Sequence, residues 1–177
     1  MPAYHIYLIS SLPMLQFGAR PPFSFEQFLE ICQDKIPNKE IEIIRSAKSV
    51  TSGDSCCMKQ PVLEQWCFFD LALRNELVKI RAGRKKIEAS KYLRQDGFSQ
   101  PWIFHIAMAA HRSVNILEGE KVLDLARWNM LDELCAGHFF DLDFLIAYSL
   151  KLLILERWDK INSADKTTIL AKAIGNN

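Results

Sequence analysis

Between Gln65 and Leu93 the apolar residues recur at helical spacing: Trp66, Phe69, Leu73, Leu77, Ile80 and Ile87 follow one another at steps of three, four, four, three and seven. That is the period of one helix face, and a strand with period two cannot keep it. An unbroken helix from Val62 to about Gln95 would be roughly 50 Å long at about 1.5 Å per residue. Pro61 suits its first turn, Gly83 is a point where it can kink or break, and Asp96-Gly97 is the expected stop.

The same reading runs along the rest of the chain. Residues 3–9 are β-branched and aromatic, and fit either a short strand or the first turns of a helix. Ser24 and Gln27 form a Ser-x-x-Gln capping box ahead of Phe25, Phe28, Leu29 and Cys32. Pro37-Asn38 ends that helix and caps the next, with Ile41, Ile44 and Ala47 on one face. Residues 49–60 read as an exposed polar loop. Beyond the long helix, Pro101 opens a helix from Trp102 to about Ile116. Another spans residues 119–136, with Val122, Leu125, Ala126, Trp128, Leu131, Leu134 and Cys135 on its buried side and Gly137 at its C-terminal stop. Asp141 caps a strongly apolar helix from Leu142 to about Ile161, striped by Leu145, Tyr148, Leu152 and Leu155. A short tail helix is expected from Ser163. The fold class is therefore all-α, a helical bundle built on one long central helix with a short irregular N-terminal segment. The expected organisation is one domain over 1–177, with two short helices in 1–60 and the main bundle in 61–177.

Composition narrows the function classes. The chain has 177 residues, 49% of them hydrophobic, and a net charge of +1. This suits a folded core and gives no global reason to bind nucleic acid. All prolines but Pro101 lie before Val62, in keeping with an irregular N-terminal part. The five cysteines, Cys32, Cys56, Cys57, Cys67 and Cys135, are odd in number and include no Cys-x-x-Cys. With no basic n-region or small-residue cleavage site in the first ten residues, free thiols and a cytoplasmic location are expected. The most apolar stretch, Phe139 to Leu155, is interrupted by Asp141, Asp143 and Lys151, and is read as a helix that does not span a bilayer.

Candidate chemistry is sparse. Cys56-Cys57 matches no zinc spacing. His105 and His111 are six apart and point to different sides of a helix. His138 with Asp141 reads as a helix junction, and Asp141-x-Asp143 as capping residues rather than a magnesium site. No Gly-rich phosphate loop, nucleophile elbow or His-Glu-x-x-His occurs. Asp70 and Arg74 make a favourable i,i+4 pair. The one basic cluster, Arg81, Arg84, Lys85 and Lys86, reads first as a solvated helix face and second as a contact for an acidic surface.

Three segments carry a resemblance. Residues 7–15, with Pro21-Pro22, look like the N-terminus of an uncharacterised bacterial family encoded beside V-type ATPase genes. Leu73-Arg74-Asn75-Glu76-Leu77 followed by Arg81-Ala82 looks like that family's central helix. Glu118 to Trp158, with its Phe-Asp helix start and Ala147-Tyr148 followed by Leu152 and Glu156, is similar both to that family and to the C-type (eukaryotic d-type) subunits of V-type ATPases. The resemblance implies a non-catalytic helical subunit or assembly factor that couples the central shaft to the membrane rotor ring in ion transport. It implies no cofactor and no bound metal. The implied partners are other ATPase subunits, not nucleic acid, and any membrane association is peripheral and through those partners. The C-type subunit is a funnel of helical bundles, and this chain is too short to supply all of it. Arg74, Asn75 and Glu76 are the expected polar contacts with a partner or between helices, and Arg81, Arg84, Lys85 and Lys86 the expected contacts with an acidic shaft or ring surface. The competing expectations are a general helical adaptor, and an enzyme that would need Arg74, Glu76 and a histidine to converge in one pocket.

Overall fold

The computed structural model describes residues 4–51, 60–94 and 100–163. Among these residues there is no strand. Seven α-helices and one 3-10 turn are present: α1 Ile6–Ser11, α2 Phe25–Cys32, α3 Asn38–Thr51, α4 Pro61–Lys85, the 3-10 turn Ser90–Tyr92, α5 Pro101–Arg112, α6 Ile116–Leu134 and α7 Leu142–Ser163. The described residues are all-helical.

Local signals explain most of the boundaries. At α2 the capping box is complete: Ser24 Oγ accepts from Gln27 N, and the Gln27 side chain accepts from Ser24 N. Pro61 takes the first position of α4, where its missing N–H costs no hydrogen bond. Asp141 Oδ1 accepts from Phe144 N at the start of α7. Residues 4–9 resolve as the lead into helix α1 rather than a strand.

Four expectations are corrected. α4 passes through Gly83 without a break but ends at Lys85, about ten residues short of the Asp96-Gly97 stop, because Lys86 adopts the left-handed conformation with φ 54°. The helix is therefore about 37 Å long, and Ile87 lies beyond it, half exposed. α5 stops at Arg112 rather than near Ile116. Asn115 accepts from Glu118 N through its side chain and starts α6 instead, three residues earlier than expected. Leu125 faces solvent. Finally, the described part of the N-terminal segment, residues 4–51, holds three helices rather than two short ones and belongs to the core: Phe25, Phe28 and Ile44 are fully buried in the same core as Leu131, Leu145 and Leu152. The expected tail helix and Cys56-Cys57 lie outside the described residues. Cys32 and Cys135 are free thiols whose burial pushes their pKa up to about 11. Cys67 is disulfide-bonded, so free thiols do not hold throughout.

Helix α7 packs against α2, α3, α4 and α6, and α4 against α3, α5, α6 and α7. The directions follow from side-chain pairs. Gln60, just before α4, bonds Asp143 at the start of α7, whereas Asp70 and Arg74 lie beside residues 153–161; α4 and α7 therefore run the same way. Phe69 stacks on Trp102, and Leu77 and Arg81 lie near Ala110 and His111, so α5 runs with them. α6 runs back, with Glu120 on Arg157 and Asp132 on Lys151. The first stretch of chain is clasped onto α7: Tyr148 Oη donates to Pro13 O, and Glu156 accepts from Phe25 N at the head of α2.

The α5–α6 hairpin turns tightly enough that Gly119 is buried against α5. A Cβ there would sit 2.8 Å from the backbone oxygen of Ala110, whereas one at Gly83 meets nothing within 4 Å. Gly119→Ala is therefore expected to destabilise by about 1–3 kcal/mol, because backbone must move. Gly83→Ala is expected to stabilise by about 0.5–1 kcal/mol through helix propensity. Urea unfolding of the two variants gives opposite signs if the hairpin closes this way.

Candidate functional site

Glu120, Asp124 and Arg127 recur at steps of four and three, which puts them on one face of α6. That face meets α7 on one side and α4 on the other. Asp124 is 1% exposed. It accepts from Arg127 Nη1 at 2.8 Å, from Trp158 Nε1 at 2.9 Å and from Arg157 Nη1 at 3.2 Å. Arg127 also donates through Nε to Asp70 Oδ1 at 2.8 Å, and Arg74 donates to Asp70 Oδ2 at 2.7 Å. Arg157 reaches Glu120 with its other nitrogen. Burial alone would disfavour the Arg127 charge, but Asp70 and Asp124 outweigh it and hold its pKa above the ordinary arginine value.

Above this network lies a cleft of about 640 Å³ between α3, α4, α6 and α7. Its floor is Asp70, Asp124 and Arg127, its apolar wall is formed by Trp66, Leu153, Ile154 and Ile161, and Lys48, Arg74, Arg157 and Lys160 stand around it. Glu156 also borders it, with one oxygen engaged by Phe25 N. The volume is within the range of small-molecule sites.

The expected contact residues separate into two groups. Arg74 belongs to the cleft. Asn75 is buried and spans two segments: its Nδ2 donates to Arg94 O at 2.7 Å and its Oδ1 accepts from Arg94 N at 3.1 Å, tying α4 to the chain after the 3-10 turn. Glu76 pairs with Lys79 at 2.5 Å and does not line the cleft. No histidine lines it either, so Arg74, Glu76 and a histidine are not brought together. Arg81, Arg84, Lys85 and Lys86 are exposed at the end of α4. There Arg81 and Arg84 share a shallow depression with His111, Asn115, Ile116 and Glu120. Val114 and Ile116, at the tip of the α5–α6 hairpin, are 93% and 87% exposed. The basic end of α4 thus adjoins a bare apolar tip, and the spacing of α4 alone could not reveal it. The Asp124–Arg127–Arg157 network was likewise missed; the four-and-three recurrence on α6 was its signal.

His138, Asp141 and Asp143 each offer a ligand atom, all within 4.8 Å of one another. These groups already serve one another: His138 Nδ1 lies 2.6 Å from Asp141 Oδ2, Asp141 Oδ1 caps α7, and Asp143 takes Gln60. The geometry is that of a helix junction. Among the described residues no helix is long and apolar enough to cross a membrane.

A family described as a protein of unknown function, DUF2764, matches residues 103–174. The matched stretch carries Asp124, Arg127, Arg157 and Trp158 but not Arg74 or the basic end of α4. No curated protein and no solved structure matches the chain.

Two outcomes are expected. Asp124→Asn leaves Arg127 buried with one carboxylate fewer and should destabilise by about 3 kcal/mol or more, whereas Asp132→Asn, at the exposed pair with Lys151, should change stability by less than about 1 kcal/mol; chemical denaturation checks both. The hydrogen bond to Asp141 raises the His138 pKa above the usual 6.5, against a small opposing effect of burial. The stability it adds is then fully present below pH 6.5 and lost as pH rises through the folded-state pKa. The melting-temperature difference between wild type and His138→Gln should therefore be largest at acid pH and shrink above neutrality.

Proposed function

We propose that this chain is a non-catalytic helical subunit or assembly factor of a bacterial V-type ATPase, working by rigid packing of a bundle built around α4. The observation that carries the reading is the mixed surface at the end of α4. Arg81 and Arg84 there share a depression with the exposed Val114 and Ile116, and Lys85 and Lys86 follow them, exposed, at the helix end. A surface with an apolar centre and a basic rim suits a protein partner whose own patch is apolar and acidic. Two further points support the reading. The residues of the resemblance are those that join elements: Pro13 to Tyr148, Glu156 to Phe25, Asn75 to Arg94. And the implied partners, the central shaft and the membrane rotor ring, would bring the chain to the membrane without a span of its own.

The same surface serves the second reading, a general helical adaptor with another acidic partner. An affinity-tagged chain, expressed in a bacterium that carries a V-type ATPase, separates the two. Co-purification of ATPase subunits is expected, with recovery falling at least fivefold in the Arg81→Glu, Arg84→Glu double variant. Recovery of none of the ATPase subunits would overturn the first reading and leave the adaptor.

A further inference from the structure

We propose that the cleft between α3, α4, α6 and α7 binds an amphiphilic organic anion, a molecule with a negatively charged head and an apolar body. Five cationic and three carboxylate side chains line it, an excess of two positive charges over a volume of about 640 Å³. The carboxylates are committed to the protein. Asp70 and Asp124 are held by Arg127, Arg74 and Arg157, and Glu156 receives the Phe25 amide. Two of the outer cations, by contrast, pair outward. Lys48 bonds Glu26 and Arg157 bonds Glu120, and neither Glu26 nor Glu120 lines the cleft. Exposed pairs of this kind contribute little to stability. Lys160 stands exposed at the same rim with no ion-pair partner among the described residues, and its long side chain can turn to a bound anion at small cost.

The apolar lining sets the rest of the chemistry. Trp66 on α4 and Leu153, Ile154 and Ile161, interleaved with Arg157 and Lys160 on α7, give the cleft apolar surface beside those cations. The floor carboxylates weaken the pull on a bare ion, so the head group needs an apolar body to hold it. A small inorganic anion has the charge without that body and is expected to bind weakly. The residues involved are separate from Arg81 to Lys86, so the cleft does not depend on the ATPase reading.

Isothermal titration of the full chain with 8-anilinonaphthalene-1-sulfonate, an aromatic body bearing one sulfonate, tests this, with inorganic phosphate as a second titrant at equal ionic strength. One saturable site is expected, weakened at least fivefold by Lys160→Glu and by Arg157→Gln and unchanged by Lys91→Glu, on the 3-10 turn outside the cleft. Phosphate should bind more than tenfold more weakly. Lys160→Glu removes no side-chain bond among the described residues, so it keeps the test decisive if Arg157→Gln unfolds. Equal affinity in wild type and Lys160→Glu would place the dye on an apolar patch elsewhere and overturn the proposal, as would the absence of saturable binding. Phosphate binding as tightly as the dye would overturn the apolar half of the assignment.

Discussion

The arrangement of α4, α6 and α7 depends on one buried carboxylate. Asp124 is almost fully removed from water, and an isolated charge in that position would cost several kcal/mol. It is tolerated because Arg127, Arg157 and Trp158 all donate to it, and because Arg127 is itself balanced by Asp70 on α4. Hydrophobic packing is not directional, so apolar contacts alone would let the three helices slide along one another. The paired charges do not: a shift of one residue on α6 would disrupt the bonds to Asp70, Arg157 and Trp158 together. The network is therefore better understood as fixing the register of the helices than as adding to their stability, and it also sets the floor and the charge of the cleft.

Much of the fold was legible because its signals are local. Apolar periodicity marked α2, α4, α5, α6 and α7, and the side chains of Ser24, Pro61 and Asp141 marked three of their starts. The misreadings have physical causes. α4 ends at Lys86 by a left-handed turn with no glycine to announce it. The α5–α6 boundary was hidden because Val114, Ile116 and Leu117 continue an apolar pattern while pointing to solvent. Their exposure is a property of the hairpin, not of the run they belong to.

The site was less legible for a related reason. Arg74 and Asp70 were visible as a pair on one helix, but a helix surface carries many such pairs. What distinguishes this one is that α6 brings Arg127 to Asp70 across 57 residues of chain, and α7 brings Arg157 to Asp124 across 33. Asn75 read as a polar contact with a partner or between helices, and its side chain satisfies the backbone of Arg94 within the same chain. Arg81, Arg84, Lys85 and Lys86 remained exposed, and only the hairpin beside them gives that charge an apolar setting.

The common direction of α4, α5 and α7 gives the molecule an electrical axis. Aligned peptide units leave a partial negative charge at each helix C-terminus and a partial positive charge at each N-terminus, and α6, which runs back against them, cancels one of the three. The side chains oppose this: Arg84 and Lys85, His111 and Arg112, and Lys160 fall in the last turns, while Glu64 and Asp143 fall in the first turns of α4 and α7. Part of the basic charge at the far end of α4 is thus counter-charge to the chain's own carbonyls. The field that end presents to an approaching partner is smaller than its count of lysines and arginines, and it is concentrated at the side-chain tips, where the macrodipole has already faded.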